Sequence, residues 1–516
     1  MGSSDAASEV RLVDTSHHVG TYATLSHCWG GGTPIKTTTE NISKHLLGIK
    51  NECLPRTFAE AVHVTRKLGI QYLWIDSLCI IQNDHDDWER EAVMMCQYYQ
   101  NSLVTIAAAD GSNSDAGLFR DFDTLATRPC RFRVPDQQGH IRSLCVFTPQ
   151  MSFRRTQFNM PSLYMSKSLA LYARAWVFQE QVLSSRTLTY YRDGFTWRCQ
   201  EMVFDEKPPL MQTTTDFILD DKKTQIRMGS DPRPIEAGIA ELQRKWIYPR
   251  PELDPILNES SFHKRGCMDP SNDFLLAWGK IIQDYTDRGL TNKSDRLIAI
   301  QGVAQAAAAV AARTYFAGIW VDTPHSIFMG LLWCVSAVGS RNRGRTGVAP
   351  SWSWASVSSQ VIWLGHWLCR LESRITIVGL QKQGALSKTE GELTMDVNIR
   401  PAMVEDGYVA QLTDWEDENR GHGHPERMCL DRKIARVTLD EEIPDKTRVW
   451  FAELASGEIH TQGHAKYFNC LVLLQISGKS GVDGSKFKRV GYSFWDESYW
   501  YSEGFPELRK VRICLI

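Results

Sequence analysis

The stretch Tyr72-Leu-Trp-Ile-Asp-Ser-Leu-Cys-Ile-Ile-Gln82 decides how the chain is read. Seven of its first nine residues are apolar or aromatic, and polar residues bound it on both sides. So short a run predicts a strand, Tyr72–Ile80, buried on both faces as in a parallel sheet flanked by helices. Asp76 interrupts it near its C-terminal end, where open α/β sheets place their binding crevice. A buried carboxylate needs a partner to be tolerated. Asp76 is therefore either a structural anchor or part of a site.

Upstream, Tyr22–Leu25 predicts a strand that runs into the loop His27-Cys-Trp-Gly30 and on to Gly31 and Gly32. That loop is either a turn or a place where backbone amides approach a ligand closely. It matches neither the P-loop nor the dinucleotide fingerprint. Between the two strands, Leu54-Pro55-Arg-Thr57 opens a helix with Thr57 and Glu60 as a capping box and Gly69 as its stop. Phe58, Ala61, Val62, Thr65 and Leu68 form the expected inward face. Downstream, Asp86 and Glu89 form a second capping pair, and Trp88, Ala92, Met95 and Tyr99 define a buried helical stripe. Glu91 lies about 60° from the centre of that stripe, whereas Arg90 and Gln97 point outward. Glu91 is either a site acid or a part-exposed glutamate paired with a basic neighbour. Leu103–Ala109 predicts a third strand, and the alternation gives a parallel, right-handed α/β core.

A chain of 516 residues has room for two or three domains of roughly 100–200 residues each. Its formal net charge of −2 gives no basic field for nucleic acid or an acidic membrane. The 13 cysteines include no C-x-x-C pair, which speaks against a zinc ribbon and a disulfide framework and for reduced thiols. No apolar run approaches the length of a membrane span, and no signal region is visible. A cytoplasmic protein is expected. His422, His424 and Cys429 lack a defined fourth ligand, so no metal site is predicted.

Farther along, short strands are expected near Arg131–Val134 and Ser143–Phe147. Leu169–Leu183 has helical spacing, and its Arg174 and Glu180 are either a structural ion pair or site residues. Thr187–Tyr191 and Phe195–Cys199 read as a hairpin turning at Asp193-Gly194. One short helix is expected around Ile235–Trp246. Further helices are expected at Phe274–Tyr285, at Asp295–Arg313 capped by Ser294, and at Ser326–Trp333. After Trp354 the pattern becomes short β-rich runs, as in an antiparallel sandwich or open barrel. The expected organisation is an α/β core over 10–150, an α-rich extension over 151–360 and a β-rich domain over 361–516.

Several blocks resemble the HET domain, the heterokaryon incompatibility domain of filamentous fungi. They are Tyr22-Ala-Thr-Leu-Ser-His-Cys-Trp-Gly30, Leu54-Pro-Arg-Thr-Phe58, the central stretch, and Asp87-Trp88 through Met95 and Tyr99. Arg174-Ala-Trp-Val-Phe-Gln-Glu180 resembles that family's R-x-W-x-x-Q-E block. Thr196-Trp-Arg-Cys199, Leu290-Thr291 with Asp295-Arg-Leu297, and Pro350-Ser-Trp-Ser-Trp-Ala355 extend the resemblance to about residue 360. The family is similar, distantly, to the TIR fold, a flavodoxin-like parallel sheet, and several TIR-like domains cleave NAD at the nicotinamide glycosidic bond.

The resemblance implies a TIR/flavodoxin-like core with an α-rich extension and a β-rich C-terminal domain. It implies a role in fungal non-self recognition and programmed cell death through NAD glycohydrolysis. Glu91 would be the catalytic acid and Asp76 the acceptor of the ribose diol, with Glu89 and Glu180 as competing acids. Ser26, His27, Trp29, Gly30, Cys79, Gln82, Arg174, Trp176, Gln179 and Glu180 would line the ligand, with NAD a substrate and no cofactor required. Two other functions fit the same residues. One is a non-catalytic effector that self-associates into a homo-oligomer. The other is a secondary-metabolite cyclase or lyase using Asp76, Glu91, Glu180 and His27 for proton transfer. Neither nucleic acid nor membrane is an expected partner.

Overall fold

The computed structural model describes residues 9–15, 19–31, 35–119, 130–135, 141–146, 169–192, 194–200, 202–205, 243, 273–336, 344–364, 368–385, 388–405, 408–411, 436–459, 466–477, 482–496 and 508–516. The chain divides into two compact units, Met1–Pro249 and Arg250–Ile516.

In the first unit the order is β1 (Tyr22–Ser26), α1 (Ile42–Leu47), α2 (Arg56–Lys67), β2 (Tyr72–Trp74), the single turn α3 (Asp76–Cys79), α4 (His85–Asn101) and β3 (Val104–Ala108). A separate antiparallel pair follows, β4 (Cys130–Pro135) and β5 (Ile141–Val146). Then come α5 (Trp176–Leu183), β6 (Arg186–Tyr191), β7 (Gly194–Cys199) and β8 (Val203–Asp205). The main sheet has the order β2-β1-β3-β6-β7-β8. Its first four strands are parallel, and β7 and β8 are added antiparallel. β1 lies between β2 and β3, with Tyr22 beside Tyr72 and Ala23 beside Val104. From β1 the chain goes next to β2 on one side, and from β3 it goes on to β6 on the other; at such a switch open α/β sheets place their ligands, outside the C-terminal strand ends. Every residue of β3 is buried. Phe58, Ala61 and Val64 of α2 pack with Leu25, Ile75 and Ile106 in one core cluster. Complete burial of a side chain such as Phe58 stabilises the fold by about 1.5–3 kcal/mol.

The central stretch is mixed rather than one long strand. Tyr72–Trp74 pairs in the sheet, at its edge and half-buried, Asp76–Cys79 winds into a helical turn, and Ile81 makes an isolated parallel bridge with Thr37. Asp76 begins that turn, with its carboxylate accepting the Ser77 amide at 2.7 Å. Both expected capping boxes are also absent. α2 starts after Pro55 with no side-chain cap. Thr57 instead accepts the Gly117 amide, and Glu60 takes the Leu118 and Phe119 amides, so both fasten a loop. α4 is capped by Asp84, which accepts the Asp86 and Asp87 amides. Leu68, expected to face inward, is 49% exposed because α2 has ended at Lys67.

The second unit contains the helices α6 (Asp273–Asp287), α7 (Ile298–Ala311) and α8 (Pro324–Gly330). Ser294 does not cap α7, because a 3-10 turn over Lys293–Arg296 precedes it. The strand Trp333–Val335 ends the segment expected to be helical to Trp333. Trp278, Trp320, Trp333, Trp352, Trp354 and Trp363 are almost completely buried. The Trp352 and Trp354 indoles donate to Gly391 O and Gly318 O at 3.1 and 2.6 Å. These tryptophans are core.

Five short strands, β9 (Tyr315–Phe316), β10 (Ile319–Trp320), β11 (Trp333–Val335), β12 (Val361–Trp363) and β13 (Leu368–Ser373), precede β14 (Thr376–Ala385), β15 (Lys388–Glu405), β16 (Tyr408–Gln411), β17 (Arg436–Leu439), β18 (Arg448–Ile459), β19 (Lys466–Ser477), β20 (Lys486–Asp496) and β21 (Arg509–Leu515). The long β15 pairs with both β21 and β18, so β15-β18-β19-β20-β21 closes into a ring rather than an open barrel or sandwich. The expected helix around Ile235–Trp246, apart from position 243, and His422, His424 and Cys429 lie outside the described residues.

No helix among the described residues is long and apolar enough to cross a membrane.

Candidate functional site

The C-terminal ends of β1 and β2 deliver polar side chains into one place. β1 ends on Ser26, and His27 follows; both are 2% exposed. Asp76, two residues past β2, accepts the Trp29 indole N–H at 2.9 Å and stands 3.9 Å from His27 Nδ1. Its side chain keeps 20% of its surface exposed. Neither ring nitrogen of His27 has a hydrogen-bond partner among the described residues, and the ring rests edge-on against Phe58 at 4.9 Å. Burial pushes its pKa below the usual imidazole value and Arg174 pushes the same way, while Asp76 pulls it up. The ring is therefore neutral at physiological pH.

Gly30 has φ +80°, and a Cβ there would stand 2.3 Å from Asn113 Cβ. Glycine at this position is a requirement of backbone and space. The Gln82 side chain donates to Asp76 O and Ile80 O at 3.1 Å each, which ties the turn that carries Asp76.

α5 brings in the remaining groups from the other side of β1. Arg174, just before it, donates to His27 O at 2.6 Å. Seven of the eight residues of α5 are buried, from Val177 to Leu183, so Gln179 and Glu180 are enclosed despite their polarity. Gln179 Nε2 has no partner among the described residues. Trp176, the first residue of α5, is half-buried. Burial raises the Glu180 carboxyl to about 7, and the Asp76 charge adds to the rise. The Ser26 and Tyr99 hydroxyls and the Arg174 charge oppose it. Glu180 thus holds or yields a proton near neutrality, within electrostatic reach of the Asp76 carboxyl. Two acids in unlike surroundings can divide proton transfer and charge stabilisation between them.

Glu91 has different company. Its carboxylate accepts the Tyr98 hydroxyl at 2.6 Å and lies 3.5 Å from Arg90 Nε. Burial lifts the Cys79 thiol to about 12, with Asp76 and Glu91 both adding to the rise. A thiol so weakly acidic is a poor nucleophile. Glu89 is exposed and 3.4 Å from His85.

Two contributors were not anticipated. Tyr99, read only as part of a buried stripe, donates to Leu25 O at 3.2 Å and bears on Glu180. A chain of hydroxyls runs from Thr24 through Thr105 to Ser184 at 2.7 and 2.6 Å, and Ser184 donates to Glu180 O at 2.5 Å. The i, i+4 spacing of Glu180 and Ser184 was a readable sign of that last bond. The other partners are strand threonines whose contacts depend on sheet register.

The comparison with known families bears on this same part of the molecule. No curated protein and no solved structure matches the chain. Residues 22–180 match the family model of the heterokaryon incompatibility protein (HET). The match begins at the first residue of β1 and ends on Glu180, so it encloses Ser26, His27, Trp29, Asp76, Arg174 and Glu180 but not Ser184. In this segment the chain is similar to the HET family.

Proposed function

We propose that this protein serves heterokaryon incompatibility, the non-self recognition of fungi, by hydrolysing the nicotinamide glycosidic bond of NAD. The order β2-β1-β3 followed by a parallel fourth strand supports a flavodoxin-like, TIR-like core. In this reading the nicotinamide–ribose C–N bond breaks with its electron pair leaving on neutral nicotinamide. The oxocarbenium-like ribose is faced by the Asp76 carboxylate. Water adds to the ribose carbon, and Glu180, as general base, takes the proton that water loses. Trp29, half-buried beside Asp76, offers a ring for stacking. NAD is abundant in the cytoplasm, which is where the protein would act.

The observation that carries this reading is Glu180, enclosed, within electrostatic reach of Asp76 and titrating at about 7. Glu91, engaged by Tyr98 and Arg90, is the weaker candidate. The test is release of nicotinamide from NAD, followed by chromatography, for the wild type and three substitutions. Asp76→Asn and Glu180→Gln are expected to lose about 100-fold or more, the usual scale for a general base, while Glu91→Gln stays within a few-fold. Loss in Glu91→Gln with retention in Glu180→Gln would move the chemistry to α4. No release by the wild type at high protein concentration would end the hydrolase reading.

A further inference from the structure

A cleft of about 500 Å³ opens in the second unit, far along the chain from the HET domain. Its volume falls in the range of about 300–1,000 Å³ typical of small-molecule sites. The chemistry of its walls is sorted by strand. β20 contributes Lys486 and Lys488, two residues apart and hence on one face. Arg345 joins them on that side and is bonded to the Arg489 carbonyl. β15 contributes Glu390 and Glu392, directly opposite Gln383 and Gln381 of β14. β21 separates the two groups in the sheet order β20-β21-β15-β14. One wall thus carries three cations, of which Arg345 and Lys488 share the Glu441 carboxylate at 3.3 and 2.7 Å, and the other is acidic with side-chain amides. Ile476 of β19, 51% exposed, supplies apolar surface beside the basic wall.

This arrangement discriminates among ligands. The acidic wall repels a polyanion such as a nucleotide, and the basic wall repels a polycation. A dipolar molecule satisfies both. Strand spacing puts β15 about 10 Å and β14 about 14 Å from β20. An extended chain of three or four residues has about that length, at roughly 3.3–3.6 Å per residue.

The two walls touch through Lys486 and Glu392, whose side chains are 45% and 38% exposed. A pair so open to water contributes about 0–1 kcal/mol, so a ligand's charges can replace it at little cost. The amides of Gln381 and Gln383 match peptide N–H and C=O groups. We propose that this cleft binds a short extended peptide with free termini, its ammonium end toward Glu390 and Glu392 and its carboxylate toward Lys486, Lys488 and Arg345.

The probe is tetra-alanine with free termini, titrated into the full chain by calorimetry beside the same peptide acetylated and amidated. The expected result is saturable binding of the free form, weakened at least about tenfold when both terminal charges are capped. Glu392→Lys should weaken the free form by about tenfold or more with an unchanged unfolding midpoint. Should that variant not fold, Glu390→Lys, at an exposed position, serves in its place. No saturation up to about 10 mM, equal binding of the capped peptide, or indifference to the folded variant would each overturn the assignment.

Discussion

Replacing Glu180 with Gln should stabilise the first unit above neutrality and leave it nearly unchanged in mild acid. Burial raises this carboxyl from 4.5 to about 7 in the folded protein. At pH below 4.5 the acid is protonated in both states and costs nothing extra. As pH climbs from there toward 7, the unfolded chain releases the proton and the folded one retains it, so stability falls. Above about 7 the loss is complete, and the interval from 4.5 to about 7 corresponds to about 3 kcal/mol.

Gln has nearly the shape of the protonated acid and no charge to desolvate. The advantage of Glu180→Gln should thus grow from near zero at about pH 4 to about 3 kcal/mol at about pH 8. Urea unfolding of both proteins across that range, compared pairwise at each pH, reads the difference directly. A difference independent of pH, or a variant less stable than wild type at the alkaline end, would refute the claim that Glu180 is held against ionisation.

Two further outcomes concern the second unit. Gly279 lies inside α6, where Gly→Ala ordinarily stabilises a helix by about 1 kcal/mol. Here a Cβ would meet the Trp363 ring at 2.3 Å, so Gly279→Ala should instead destabilise by about 1–3 kcal/mol in thermal or urea unfolding. Arg489 is wholly buried, bonded to Asp440 at 3.2 Å and stacked 3.3 Å over Trp333. Arg489→Met leaves Asp440 with Arg345, 3.8 Å away, as its remaining cation and should cost about 3 kcal/mol, while adding Asp440→Asn should restore part of it.

The elements whose apolar period was regular were legible in the sequence. The spacing of Ala92, Met95 and Tyr99 fixes the buried side of α4, whereas the helix expected over Leu169–Leu183 forms only from Trp176, although Leu171, Ala175, Phe178 and Val182 are all buried. β3 and the β6–β7 hairpin also stand where their residues put them, because an apolar run or a turn dipeptide determines each locally. The central stretch misled because Leu78 and Ile80 are buried in either conformation. Composition cannot tell a strand from a strand followed by a turn. The caps misled because Thr57 and Glu60 spend their hydrogen bonds on a loop about sixty residues away, Gly117 to Phe119.

For the site, the residue types were legible and their grouping was not. Asp76, Trp29 and His27 come together because β1 and β2 are parallel neighbours, and Glu180 joins them from a helix that sequence period alone left free to face elsewhere. The closing of the C-terminal ring was likewise hidden, since it depends on one strand, β15, pairing on both sides.

The most direct test of the central claim is the pH dependence of nicotinamide release from NAD by the wild type and by Glu180→Gln. Glu180 acting as a base that titrates at about 7 predicts a wild-type rate that climbs with pH through that value and then levels. The variant should be slow and show no such rise. A wild-type rate flat through neutrality, or a variant with the same climbing profile, would contradict the role given to Glu180.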